Sequence, residues 1–164
     1  MIKTAIVTVS DKGSAGERVD ESGTVIREMI EEMDASVSAY TVIPDEQELI
    51  AKTLIDLSEQ GEIDLILTTG GTGVAPRDVT PEATLQVISR EIPGMAEAMR
   101  SASLKKTPHA MISRAVAGVR KNTLIVNLPG SPRAVRENLS VILPALPHAI
   151  AKIKGDPGEC GAGS

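Results

Sequence analysis

Residues 65–84, LILTTGGTGVAPRDVTPEAT, hold the densest set of groups able to do chemistry. Gly70, Gly71, Thr72 and Gly73 follow an apolar run, and Asp78 stands just beyond them. Glycines adopt backbone angles closed to other residues and let a ligand approach the main chain. Amides exposed in this way cradle phosphate, helped by the dipole of a following helix. The loop is not a Walker sequence, since no Gly-Lys-Ser/Thr follows, and Pro76 occupies the place of the last glycine in GxGxxG. A tight strand-to-helix turn would use the same glycines, so spacing leaves both readings open. A carboxylate beside phosphates repels them unless a cation intervenes, and Mg2+ binds through one or two carboxylates plus phosphate oxygens. Asp78 can equally pair with Arg77 or cap the next turn.

Three other stretches carry weaker signals. Asp45 with Glu48 reads as a helix N-cap and its capping-box partner, a role compatible with facing a site. SDKGSAGERVDESG, residues 10–23, is a polar loop offering Ser10, Ser14 and the amides around Gly13 and Gly16, with Lys12 and Arg18 adding positive charge. NLPGSPR offers Asn127, Ser131 and Arg133 near a helix start. An anion suits both loops, and ordinary turns would look alike. His109 and His148 are isolated, which argues against a histidine metal site.

The elements that must position these groups alternate. Residues 2–9 and 37–43 read as strands, each followed by a helix whose apolar residues recur at helical spacing: Val25, Ile26, Met29, Ile30 and Met33, then Leu49, Ile50, Leu54 and Leu57. Residues 63–69 form a third strand. Thr80 is expected as the N-cap of the next helix, with Pro81 and Glu82 suited to its first turn. PGMAEAMRSASLK reads as a helix, ISRAVAGVRKNTLIVNL as an antiparallel hairpin turning near Lys121-Asn122, and residues 132–143 as the start of a C-terminal helix. The pattern predicts an α/β fold with a mostly parallel sheet, helices on both faces and a small antiparallel hairpin. Ligands of such sheets bind beyond the carboxyl ends of the strands. The loops Ser10–Gly16, Gly70–Asp78 and Asn127–Arg133 all fall at such ends.

Composition bounds the partners. A chain of 164 residues suits one domain, expected over residues 1–155, with a Gly-rich tail, 156–164, expected to be disordered. Tyr40 is the sole aromatic residue and the net charge is -5, which together argue against nucleic-acid binding. Cys160 stands alone, so no intramolecular disulfide and no cysteine zinc cluster can form. No apolar run approaches the ~18 residues of a membrane span, and the N-terminus lacks a signal-peptide layout. A cytoplasmic protein is expected.

Six blocks occurring in order, TVSDKGSAGERVDESG, VIPDE, LILTTGGTGVAPRDVTPEAT, IPGMAEAMR, TPHAMISRAVAGVRKNTLIVNLPGSPRAV and LPALPHAIAKIKGD, together resemble the MogA family. These are the molybdopterin adenylyltransferases of molybdenum cofactor biosynthesis, whose domain also occurs in fusion proteins including gephyrin. The resemblance covers roughly residues 3–155. It implies a three-layer α/β/α sandwich assembled as a homotrimer. It also implies a reaction in which AMP passes from MgATP to the terminal phosphate of molybdopterin, releasing pyrophosphate, with a MoeA-type molybdenum insertase downstream. By the same resemblance Asp78 and Asp45 are the catalytic aspartates, and Gly70, Gly71, Thr72 and Gly73 form the nucleotide-binding loop. Ser10, Asp11, Ser14, Gly16, Asn127, Pro129, Gly130 and Ser131 match molybdopterin-binding positions. Mg2+ is implied with ATP, without a set of protein ligands. Lys12 departs from the small polar residue of many relatives, and Ser131 varies with Asn among them. One alternative is a MoaB-like non-catalytic molybdopterin-binding trimer or scaffold. Another is a CinA-like nucleotide hydrolase, which the TPHAMISR block fits poorly.

Overall fold

In the computed structural model, which describes residues 1–158, the chain runs β1 (Ile2–Val9), α1 (Asp11–Ser14), α2 (Glu21–Glu31), β2 (Ala35–Ile43), α3 (Gln47–Glu59), β3 (Leu65–Thr69), α4 (Thr80–Val87), β4 (Arg90–Glu91) and α5 (Pro93–Leu104). A 3-10 turn (Pro108–Ile112) leads to β5 (Ala117–Arg120), β6 (Thr123–Leu128), α6 (Pro132–Ile142), a second 3-10 turn (Leu143–Ala145) and α7 (Leu146–Ile153). Cys160 and the end of the tail expected to be disordered lie outside the described residues.

One six-stranded sheet has the order β2-β1-β3-β6-β5-β4. β2, β1, β3 and β6 are mutually parallel, while β5 runs antiparallel to both β6 and β4. The expected hairpin is β5–β6, turning at Lys121, whose φ of 50° is the only positive one outside glycine among the described residues. The chain leaves β1 for β2 on one side, then returns past β1 to β3 on the other. The connections after β1 and β3 therefore diverge and open a crevice at their carboxyl ends.

Period-two alternation along the central strands feeds two cores. Ile6, Leu65, Leu67, Leu124, Val126 and Leu128 face α2, α5, α6 and α7. Ala5, Val7, Val9, Ile66 and Ile125 face α3 and α4. A one-residue register slip in β3 would exchange Ile66 with its neighbours and bury each against the wrong layer. Each of these large aliphatic side chains contributes roughly 1.5–3 kcal/mol by burial, which pins the strand ends that carry the loops. Among the described residues no helix is long and apolar enough to cross a membrane.

Several local expectations are corrected. The polar segment after β1 is not all loop: Ser10 caps the single turn α1 by accepting from the Gly13 amide. Thr80 does not cap α4 but is its first residue; Val79 precedes it, and the Thr80 hydroxyl donates instead to the Gly70 carbonyl at 2.9 Å. Asp45 does not cap α3, whose N-cap is Glu46 without a side-chain bond. The C-terminal helix breaks at Leu143, where Pro144 and then Pro147 cannot donate to the preceding turn.

Candidate functional site

The carboxyl edge of β1, β3 and β6 opens into a cleft of ≈ 540 Å³, within the usual range for a ligand site. Ser10 and Gly13 reach it from the β1 connection, Asp45 from β2, Gly70, Gly71 and Asp78 from β3, and Gly130 and Ser131 from β6. Hydrogen bonds between loops hold them together. Gly70 donates to the Leu128 carbonyl at 3.2 Å, Thr69 Oγ1 to the Pro129 carbonyl at 2.6 Å and Ser22 Oγ to the Gly130 carbonyl at 2.6 Å.

Gly70 and Gly71 have φ of +96° and +69°, the left-handed region that side chains avoid. Space is closed to a side chain as well: a Cβ on Gly70 would meet the Val9 carbonyl, and one on Gly71 would meet Thr80 Oγ1 and lie 3.1 Å from Asp45 Oδ1. The glycine loop therefore runs directly against Asp45.

Asp45 and Asp11 brace each other reciprocally. The Asp11 amide donates to Asp45 Oδ2 at 2.9 Å, and the Asp45 amide to Asp11 Oδ1 at 3.0 Å. Arg77 then closes a two-pronged pair on Asp11 at 2.7 and 2.9 Å. That guanidinium and the Asp45 amide hold the Asp11 carboxyl below the usual carboxylate range. Asp45 shifts the other way: burial pushes it up, the Asp11 amide opposes this, and the charges of Asp11 and Asp78 add to the rise. Arg77 thus pairs with Asp11, not with Asp78. Asp78 accepts from the Ala75 amide at 3.0 Å, which closes its own turn.

Two helix N-termini also point at the cleft. Asp20 caps α2 by accepting from the Gly23 amide, and Ser131 caps α6 by accepting from the Ala134 amide. Both starts place partial positive charge where an anion would sit. The side-chain charge is opposite in sign: Asp20, Glu21, Asp45 and Asp78 line the cleft, against Arg18 alone. Asp20 was missed by sequence reasoning, having no spacing signal. It is held by Thr8 Oγ1 at 2.6 Å and by the Tyr40 hydroxyl. Burial and Asp20 push that phenol up to about 12.

The remaining residues singled out by resemblance are distributed differently. Asn127 is wholly buried and faces no cleft. Its amide group donates to Thr68 and Thr84 hydroxyls and accepts from the Val116 amide. Thr72, Gly73 and Pro129 line a second depression of ≈ 230 Å³, bordered by Arg100, His109 and Asn138. Asp11 sits beside the main cleft without lining it, while Ser14 and Gly16 lie out on the α1 turn, where Ser14 Oγ donates to the Asp11 carbonyl. Among the described residues no three carboxylate, histidine or cysteine side chains gather as a self-sufficient metal cage.

Comparison with known proteins identifies the family and the fold. Residues 5–148 match the family described as a probable molybdopterin binding domain. The chain is 42% identical over 157 residues to a molybdopterin adenylyltransferase of Helicobacter pylori, covering 94% of this chain and 89% of that protein. The molybdopterin biosynthesis enzyme MoaB from Thermus thermophilus superposes with a TM-score of 0.90 at 52% identity, covering 97% of this chain and 100% of that one. The molybdopterin biosynthesis Mog protein of Mycobacterium ulcerans gives 0.88 at 40% identity, covering 93% and 99%.

Proposed function

The chain belongs to the molybdopterin-binding family of molybdenum cofactor biosynthesis and has the activity of a molybdopterin adenylyltransferase, and we propose that the cleft at the carboxyl edge of the sheet is where the two substrates meet. The observation that carries this reading is the convergence of Asp45 and Asp78 with Gly70, Gly71 and the starts of α2 and α6 on a single cavity. A terminal phosphate oxygen of molybdopterin attacks the α-phosphorus of ATP. A new P–O bond forms as the bond to the β-phosphate oxygen breaks, and pyrophosphate leaves. Such a transfer needs positioning and charge neutralisation more than a strong base.

The glycine loop and Asp78 take the nucleotide side. Ser10, Gly130 and Ser131 take the molybdopterin side, with both helix N-termini offering amides to phosphates. Asp45 and Asp78 suit Mg2+: carboxylate charge in a net-acidic cleft, half-buried at Asp45, is relieved by a cation arriving with ATP. Bound there, Mg2+ would neutralise phosphate charge and orient the triphosphate. Asp11 contributes through its brace to Asp45, and Asn127 through the core.

We further infer a homotrimer that hands its product to a MoeA-type insertase. Leu104, Met111 and Ile112, 43%, 72% and 52% exposed, offer apolar surface to a second copy.

A single-turnover assay with ATP labelled at the α-phosphate tests the site. Asp78→Asn is expected to slow label transfer by at least ~100-fold while molybdopterin binding and fold persist. Unchanged transfer sinks the assignment of Asp78. Binding of both substrates without transfer in the unmutated protein would refute the reading that they meet productively in this cleft.

A further inference from the structure

Asp78 depends on a loop with little of its own to hold it. Residues 74–77 are exposed, Val74 by 63%, so no apolar anchor fixes them. Within the loop, only the Asp78–Ala75 turn supplies hydrogen bonds, at 2.9 and 3.0 Å. Two anchors come from outside the loop: Asp11 holds Arg77 at the loop's exposed side, and a second group holds its two ends. Arg114, on the segment between the 3-10 turn Pro108–Ile112 and β5, donates Nε to the Gly73 carbonyl at 2.7 Å and Nη2 to the Asp78 carbonyl at 2.7 Å. Its Nη1 pairs with Glu82 in the first turn of α4, and its backbone amide donates to the Thr72 carbonyl at 2.9 Å. Arg114 is itself held in place, because Arg100 donates to the carbonyls of both its neighbours, Ser113 at 3.3 Å and Ala115 at 3.1 Å.

We propose that Arg114 is a positioning residue for Asp78: its planar fork ties the two ends of the 73–78 loop together and sets where the carboxylate stands. The proposal rests on the reading of Asp78 as catalytic. A guanidinium presents donors at fixed angles, so one side chain can fix the separation of two carbonyls. Lysine carries the same charge on a single flexible point and cannot bridge both. Displacement of a reacting group by about 1 Å can cost on the order of 100-fold in rate, so such a clamp acts on turnover more than on substrate affinity. Glu82 is the clamp's third contact, on α4 and away from the loop ends.

The test compares Arg114→Lys, Glu82→Gln, Asp78→Asn and the Arg114→Lys/Asp78→Asn double variant in the full chain. Arg114→Lys is expected to lower kcat at least tenfold with both KM values within about threefold. The double variant should be no slower than Asp78→Asn alone, since the clamp works only through that carboxylate. Glu82→Gln should keep kcat within twofold. Hydrogen exchange should show a faster Ala75 amide in Arg114→Lys with the Leu67 amide unchanged. Should Arg114→Lys melt below the assay temperature, Arg114→Ala assayed at lower temperature with millimolar guanidinium should regain kcat at least fivefold. Losses that multiply in the double variant, or an unchanged Ala75 amide, overturn the proposal. Loss in Asp78→Asn with none in Arg114→Lys overturns it alone; retained turnover in Asp78→Asn overturns it together with the reading of Asp78.

Discussion

Replacing Asn127 by alanine separates two roles that sequence resemblance runs together. By resemblance the residue contacts molybdopterin; in the fold it is a strut within the sheet. Its side chain is 0% exposed and makes bonds of 3.1 Å from the Val116 amide, 3.0 Å to Thr68 Oγ1 and 2.9 Å to Thr84 Oγ1. Alanine removes all of them. The buried Val116 N–H is left without a partner, at about 1–3 kcal/mol, and the two donated bonds are worth about 1 kcal/mol each. The sum, about 3–5 kcal/mol, is a large share of the 5–15 kcal/mol typical of a domain. It corresponds to a Tm lower by roughly 10 °C. Urea denaturation should show a midpoint lower by about 1.5 M at a slope near 2.5 kcal/mol/M. Per folded molecule, the KM for molybdopterin should move by less than about threefold, because no atom of Asn127 lines the cleft. Unchanged urea stability together with weakened molybdopterin binding would refute this reasoning and return Asn127 to the ligand.

Other perturbations probe the cleft itself. Asp45→Asn should stabilise the unliganded protein at neutral pH while abolishing most turnover, since the amide oxygen still accepts from the Asp11 N–H but the half-buried charge is gone. The folded carboxyl lies above its ordinary value of 3.8, so its ionisation costs stability above that pH. The Tm gap between variant and parent should therefore close as pH falls through the raised value toward 3.8. A variant less stable than its parent at pH 7 would contradict this. Gly70→Ala forces a side chain into φ +96° against the Val9 carbonyl. Tm and turnover should fall together by circular dichroism and label transfer, with at least ~1–2 kcal/mol lost; an unshifted Tm would show that the loop adapts.

The pattern of apolar runs was enough to read the layers, because burial on both sheet faces demands continuous aliphatic strands and one-sided helices. Residues 65–67 and 124–126 illustrate it: their alternation against two cores follows from the side-chain period alone. Strand–helix alternation also sends the loops after β1, β3 and β6 to one edge, so Gly70, Gly71 and Asp78 are legible in the sequence as a candidate site. Boundaries were less so. Thr80 has the right chemistry for a cap, yet its hydroxyl found the Gly70 carbonyl, a partner ten residues back that only the folded loop supplies.

The site's wiring lies beyond sequence for the same reason. Asp45 and Glu48 have capping-box spacing, but Asp11, 34 residues away, offers Asp45 a better-placed amide and accepts one in return. Arg77 adjoins Asp78 in the chain and pairs with Asp11 instead. Arg114 lies 36 residues from Asp78 and carries no local signal of its role. Residue types, periodicity and loop placement are local properties, and the amino-acid sequence determined them. Which carboxylate takes which amide depends on distances set by the register of strands far apart in the chain, and those only the packed sheet decided.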